Sequence, residues 1–179
     1  MVITYKVVEL VCGQDGNGRG KRYSGHEYHI ICRTTGDPHL NVVSCGSYSL
    51  GVLRSAERFD PREGLWTKIP SMNSPRGCHS VAVLNGKLYS MGGYDGRSMV
   101  SSVEVFDPRA SSWVMIDSMN MIRGYAAAAV LGESVFVIGG VKDGQNIVDT
   151  VECYKEGVGW RNTTLRAIGQ RCFFSAIVL

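Results

Sequence analysis

The chain has 179 residues, 44% apolar and 20% charged, with a net charge of +3. These are globular values, and without a clustered basic run they exclude a nucleic-acid surface. No stretch approaches the roughly eighteen apolar residues of a membrane helix, and Lys6 and Glu9 interrupt MVITYKVVEL, so no signal-peptide core is expected either.

Residues 1–40 fit no repeat and stay unassigned. VITYKVVELVC and EYHIICR read as strands, with CGQDGNGRGK as a flexible connector between them. That glycine run fails as a phosphate loop, because Gly20-Lys21 is followed by Arg22 and the glycine expected five positions before Gly20 is Asp15. His26, His29 and Cys32, with Cys12 or Cys45 as a distant fourth, are not expected to hold zinc: residues three apart on a strand point to opposite faces. The six cysteines, at 12, 32, 45, 78, 153 and 172, form no CxxC pair. Reduced thiols and a cytoplasmic or nuclear protein are therefore expected.

From about residue 41 a repeat takes over. Trp66, Trp113 and Trp160 stand 47 residues apart, and Gly92-Gly93 is followed 47 later by Gly139-Gly140. Glu57, Glu104 and Glu152 keep the same beat, with steps of 47 and 48. A period of this size with several short strand-like runs per unit predicts propeller blades rather than a helical solenoid. The first unit, about 41–72, shows three strands: NVVSCGS, SAERFDP and LWTKIP. The second, about 78–119, runs SVAVL, a turn at Asn85-Gly86, KLYSMGG, the loop YDGRSM, SSVEVFD ending at Pro108, and SSWVMI. Asn-Gly between two apolar runs is a strong hairpin signal, and proline cannot donate to a sheet ladder. The third, about 125–165, runs AAAAVL, SVFVIGG, the loop VKDGQN, DTVECY and a strand around Trp160; CFFSAIVL, 172–179, then occupies a first-strand slot.

The run from Arg76 to Asn120, with Arg-Gly, Ala-Val-Leu, Gly-Lys-Leu-Tyr, Met-Gly-Gly-Tyr-Asp-Gly, Val-Glu-Val-Phe-Asp-Pro, Trp and Ser-Met-Asn, closely resembles the kelch repeat. The resemblance covers roughly residues 41–179 and is nearest to kelch-like proteins, whose propellers present substrates to cullin-based ubiquitin ligases. The closing RCFFSAIVL is also similar to the C-terminus of plant proteins that join a development-and-cell-death domain to a kelch propeller. The expected fold is thus all-β: a partial kelch propeller of about three blades, two of them complete, each of four antiparallel strands. Kelch rings have five to seven blades, so this chain is not expected to close one alone, and its open blade edges predict self-association.

The resemblance implies a protein-interaction module that binds an acidic or phosphorylated peptide through loops on one face. Carried over by position, the gripping residues are Arg76, Arg123 and Arg171, with Tyr94, Asp95 and Arg97 in one loop after a glycine pair and Lys142 and Asp143 in the next. Arginine forks hold carboxylate or phosphate bidentately, which suits the role. The repeated glutamates, tryptophans and glycine pairs are expected to be structural: paired carboxylates, wedges between blades and close backbone crossings. No catalytic residue, metal or cofactor is expected. His79 adjoins Cys78 without any nucleophile-elbow motif. The competing readings are an enzyme or small-ligand binder using the propeller channel, or a truncated fragment.

Overall fold

The computed structural model describes residues 27–33, 41–47, 52–60, 63–144, 146–176 and 178. They form three antiparallel four-stranded sheets and no helix. The first sheet runs β1 (Glu27–Arg33), β2 (Asn41–Ser47), β3 (Ala56–Asp60), β4 (Leu65–Ile69). The second holds β5 (Ser80–Leu84), β6 (Lys87–Met91), β7 (Val103–Asp107) and β8 (Ser112–Ile116), and the third β9 (Ala127–Leu131), β10 (Ser134–Ile138), β11 (Thr150–Lys155) and β12 (Gly159–Arg166). The architecture is that of consecutive propeller blades, each an up-and-down meander.

Local chemistry accounts for the strands. SVAVL and KLYSM are rich in β-branched and aromatic residues, and Asn85 and Gly86 both take positive φ, +51° and +74°, as the tight turn between them requires. The alanine run forms β9, a strand and not a helix, paired along its length with β10. Gly92 and Gly93 are the positions where glycine is obligatory. A β-carbon at Gly93 would lie 2.5 Å from the Gly77 carbonyl oxygen and 2.7 Å from the His79 β-carbon, and one at Gly92 would collide with the Arg123 carbonyl. Gly139 and Gly140 repeat this against Arg171 and Gly124.

Two segments differ from expectation. β1 supplies the first sheet with the innermost strand that the repeat pattern left missing, pairing with β2 from Glu27↔Ser47 to Arg33↔Asn41. Backbone pairing, which needs no signature residues, completes this blade even though no Asn-Gly hairpin links β1 to β2. At the other end, residues 172–176 form no strand. Their backbone nevertheless keeps the repeat register: Gly140 N donates to Arg171 O at 2.8 Å, as Gly93 N does to Arg123 O at 2.7 Å. VITYKVVELVC and CGQDGNGRGK lie outside the described residues.

The core sits between sheets. Ala56, Met72, Leu88, Phe106 and Trp113 pack together between the first and second sheets. Ala82, Leu84, Tyr89, Met91, Val103 and Val105 of the second sheet pack with Val135, Val137 and Tyr154 of the third. Alternation along each strand gives one face to each neighbour, so the middle sheet is apolar on both sides.

Candidate functional site

The loops that lead into the second and third sheets are each held by a buried arginine and glutamate. Arg76, 0% exposed, donates through Nε and Nη2 to Glu104 Oε1 at 3.1 Å, and through Nη1 to the carbonyls of Gly92 at 2.9 Å and Ser102 at 2.8 Å. Glu104 also accepts from the Asn73 and Ser74 backbone amides at 2.6 and 3.0 Å. Arg123 repeats the arrangement one sheet on, with Glu152 at 3.1 Å, Gly139 O at 2.7 Å and Thr150 O at 2.9 Å. Burial pulls the pKa of both guanidinium groups down and the facing carboxylates oppose it. Arg76 and Arg123, expected to grip a peptide, are therefore committed inward, because desolvated charges must be paired. A ligand on the loop face cannot reach them. Arg171 alone of the three is exposed, its Nε donating to Ile168 O.

The post-glycine loops do lie at the surface. Asp95 Oδ1 accepts from the amides of Arg97 at 2.7 Å and Ser98 at 2.8 Å, which fixes a tight Asx turn. Those bonds, Ser98's first, hold the Asp95 carboxyl below its ordinary range. Arg97 projects from this turn, exposed. It borders a cleft of about 360 Å³ whose other walls are Ser74, Pro75, Asp95, Val100 and Ser102. Tyr94 is half-buried, and its backbone bonds both ways with Gly77 at 2.7 and 2.8 Å. Lys142 and Asp143 are exposed in the corresponding loop of the third sheet, where Asp143 accepts from the Asn146 backbone and side-chain amides.

Sequence reasoning missed a third feature. Cys78, Tyr125 and Phe173 occupy the slot two residues after Arg76, Arg123 and Arg171, and all take the left-handed backbone, at φ +54°, +55° and +57°. Tyr125 N donates to Cys78 O at 2.8 Å and Phe173 N to Tyr125 O at 3.0 Å, so the three lead-ins are joined in a row. The Tyr125 and Phe173 rings stack with centroids 4.0 Å apart, and Phe173 is 73% exposed. The row forms an aromatic ledge on the side where the first strands of neighbouring sheets meet. Aligning the residue after each Arg-Gly or Arg-Cys pair would have found the slot; the strained backbone has no sequence signal at Cys, Tyr or Phe. Burial raises the Cys78 thiol pKa, partly offset by a hydrogen bond with Tyr125.

Beside this row His79 is 5% exposed, and neither ring nitrogen has a hydrogen-bond partner among the described residues. Burial first, and the Arg76 charge second, hold it neutral with a pKa of about 3. Among the described residues no group of three His, Cys, Asp or Glu could hold a metal ion. The tryptophans wedge between sheets: Trp113 donates from its indole to Pro70 O at 2.7 Å and Trp160 to Asp117 O at 2.9 Å, each acceptor lying in the link from the preceding sheet. Trp66, in the same slot of the first sheet, is 43% exposed.

A family model described as the Kelch motif matches residues 46–73, 75–120 and 122–156. Influenza virus NS1A-binding protein homolog B of Danio rerio is 37% identical over 65 residues, covering 36% of this chain and 10% of the relative. Kelch-like protein 5 of Homo sapiens is 41% identical over 46 residues, covering 26% and 6%. An F-box/kelch-repeat protein of Arabidopsis thaliana is 35% identical over 94 residues, covering 41% and 21%. The chain thus spans about a fifth or less of the length of these relatives.

Proposed function

The chain belongs to the kelch-repeat family, and from that premise we propose that it is a protein-interaction module whose loop face binds an acidic or phosphorylated peptide. The observation that carries this reading is the exposed Arg97 on its braced Asx turn, over a cleft lined by Ser74 and Ser102. A guanidinium beside two serines suits a phosphate or carboxylate, and the Tyr125–Phe173 ledge offers apolar area for a neighbouring side chain. Lys142 extends positive charge along the next loop. The relatives named kelch-like and F-box/kelch-repeat support the narrower reading, substrate recognition for a cullin-based ubiquitin ligase. The likeness of the closing segment to plant development-and-cell-death-domain kelch proteins belongs to the same proposal, as does a cytoplasmic or nuclear setting with Cys78, Cys153 and Cys172 as free thiols. The role is binding, without catalysis.

The test is an array of acidic and phosphoserine peptides probed with the wild-type chain and with Arg97→Ala and Tyr125→Ala. Each variant should lose roughly tenfold in affinity for the captured peptides, as for removal of one charge-assisted or aromatic contact. Capture that both variants retain in full would refute the assignment of this face.

A further inference from the structure

Five prolines punctuate the sequence, and only Pro75 follows a hydroxyl residue. Pro38, Pro61 and Pro108 follow aspartate and Pro70 follows isoleucine, so Ser74-Pro75 is the one serine- or threonine-proline step in the sequence. It lies in the link between β4 and β5, where Ser74 and Pro75 are half-buried and Pro70, Ser71 and Asn73 are exposed. A residue before proline is pushed toward extended backbone, the form in which a kinase active site threads its substrate.

The fold makes no use of the Ser74 hydroxyl. What the repeat requires of this slot is a backbone amide: Ser74 N donates to Glu104 Oε1 at 3.0 Å, and one repeat later Met121 N donates to Glu152 Oε1 at 3.0 Å. Methionine serves in that slot, so the hydroxyl is dispensable to the sheet, and it makes no hydrogen bond among the described residues. It does share the cleft of about 360 Å³ with the exposed Arg97. Asp95, the other charged wall of that cleft, has its carboxylate taken up by the amides of Arg97 and Ser98.

We propose that Ser74 is the phosphorylation site of a proline-directed kinase, and that its phosphate pairs with Arg97 and closes the cleft to acidic peptides. Ser74 Oγ attacks the γ-phosphorus of ATP, the bond from that phosphorus to the β,γ-bridging oxygen breaks, ADP leaves and the hydroxyl proton goes to the base of the kinase. The product carries about two negative charges and three acceptor oxygens beside a guanidinium fork. The site stands on the cleft itself; its effect on peptides rests on Arg97 as the gripping residue of the proposed function.

The full chain, treated with a proline-directed kinase and ATP, should gain a single phosphate by intact mass. Ser74→Ala, which keeps the backbone amide and whose fold far-UV circular dichroism checks, should gain none. The phosphorus resonance should titrate below the ordinary phosphoserine pKa of about 6, and Arg97→Ala should return it there. On the peptide array the phosphorylated chain should lose roughly tenfold in affinity for the acidic peptides that the unmodified chain captures. A wild type left unphosphorylated, a Ser74→Ala chain that gains as much phosphate as wild type, or a titration that Arg97→Ala leaves unmoved would overturn the site without reference to any peptide. Capture that phosphorylation leaves undiminished would overturn the closure. A chain that captures no acidic peptide refutes the proposed function and with it the closure, while mass and titration still decide the site.

Discussion

The second and third sheets carry nearly the same residues in the same slots, yet one is a filled interior and the other half a surface. Leu84 is 3% exposed and Leu131, one repeat later, 59%. His79 is 5% exposed where its counterpart Ala126 is half-buried. The difference lies in the neighbours: among the described residues the second sheet is flanked by sheets on both sides, the third on one. In a stack of repeats each sheet contacts only its neighbours, so position in the stack sets the energetic weight of a residue as much as its type does.

The sharpest way to break this comparison is at the buried charges. Glu104→Ala strands the Arg76 guanidinium, 0% exposed, and should cost about 3–5 kcal/mol in denaturant unfolding. Glu57→Ala, in the same slot of the first sheet but without an ion pair among the described residues, should cost less than about 1 kcal/mol. Equal losses would mean that the slot, not the neighbour, decides. Next, Leu84→Ala should cost about 2–5 kcal/mol as a cavity in a packed core, whereas Leu131→Ala should stay within about 0.5 kcal/mol.

The histidine sharpens the comparison through pH. The folded pKa of His79 lies at about 3, below its ordinary 6.5, so the unfolded chain binds the proton more tightly. Its contribution is fully present above pH 6.5 and is lost as pH falls toward 3. That should remove up to roughly 3 kcal/mol between pH 7 and pH 4. His79→Ala, which copies the Ala126 of the third sheet, should flatten this part of the stability profile in urea titrations at each pH. A small effect also belongs to the exposed clasp between sheets in which Lys87 and Asn85 donate to Glu156 at 2.8 and 2.9 Å. Lys87→Ala should cost less than about 1 kcal/mol, and the loss should shrink further as salt is added.

Much of the fold was legible because its signals are local. Asn85-Gly86 dictates a hairpin through backbone conformation alone, and Gly92-Gly93 announces a crossing too close for any side chain. The alanine run could be placed as a strand because its repeat position outweighed its helical propensity. The first sheet was less legible: Glu27–Arg33 carries neither the Arg-Gly opening nor a two-residue turn, and ladder pairing leaves no trace in residue type. The candidate site was least legible. Arginine suits a peptide-gripping loop and a buried ion pair equally well, and it is the glutamate, one sheet width away, that draws Arg76 and Arg123 inward.

Taken alone, the order of amino acids determined the all-β class, the 47-residue beat and the places of the turns, since each depends on conformational preferences within a few residues. Tertiary structure decided which charges are buried, which strand completes the first sheet and which apolar residues of the third sheet stay exposed. Those outcomes depend on desolvation and on partners brought from 28 or 29 positions away, as in Arg76–Glu104 and Arg123–Glu152, and no local propensity encodes them.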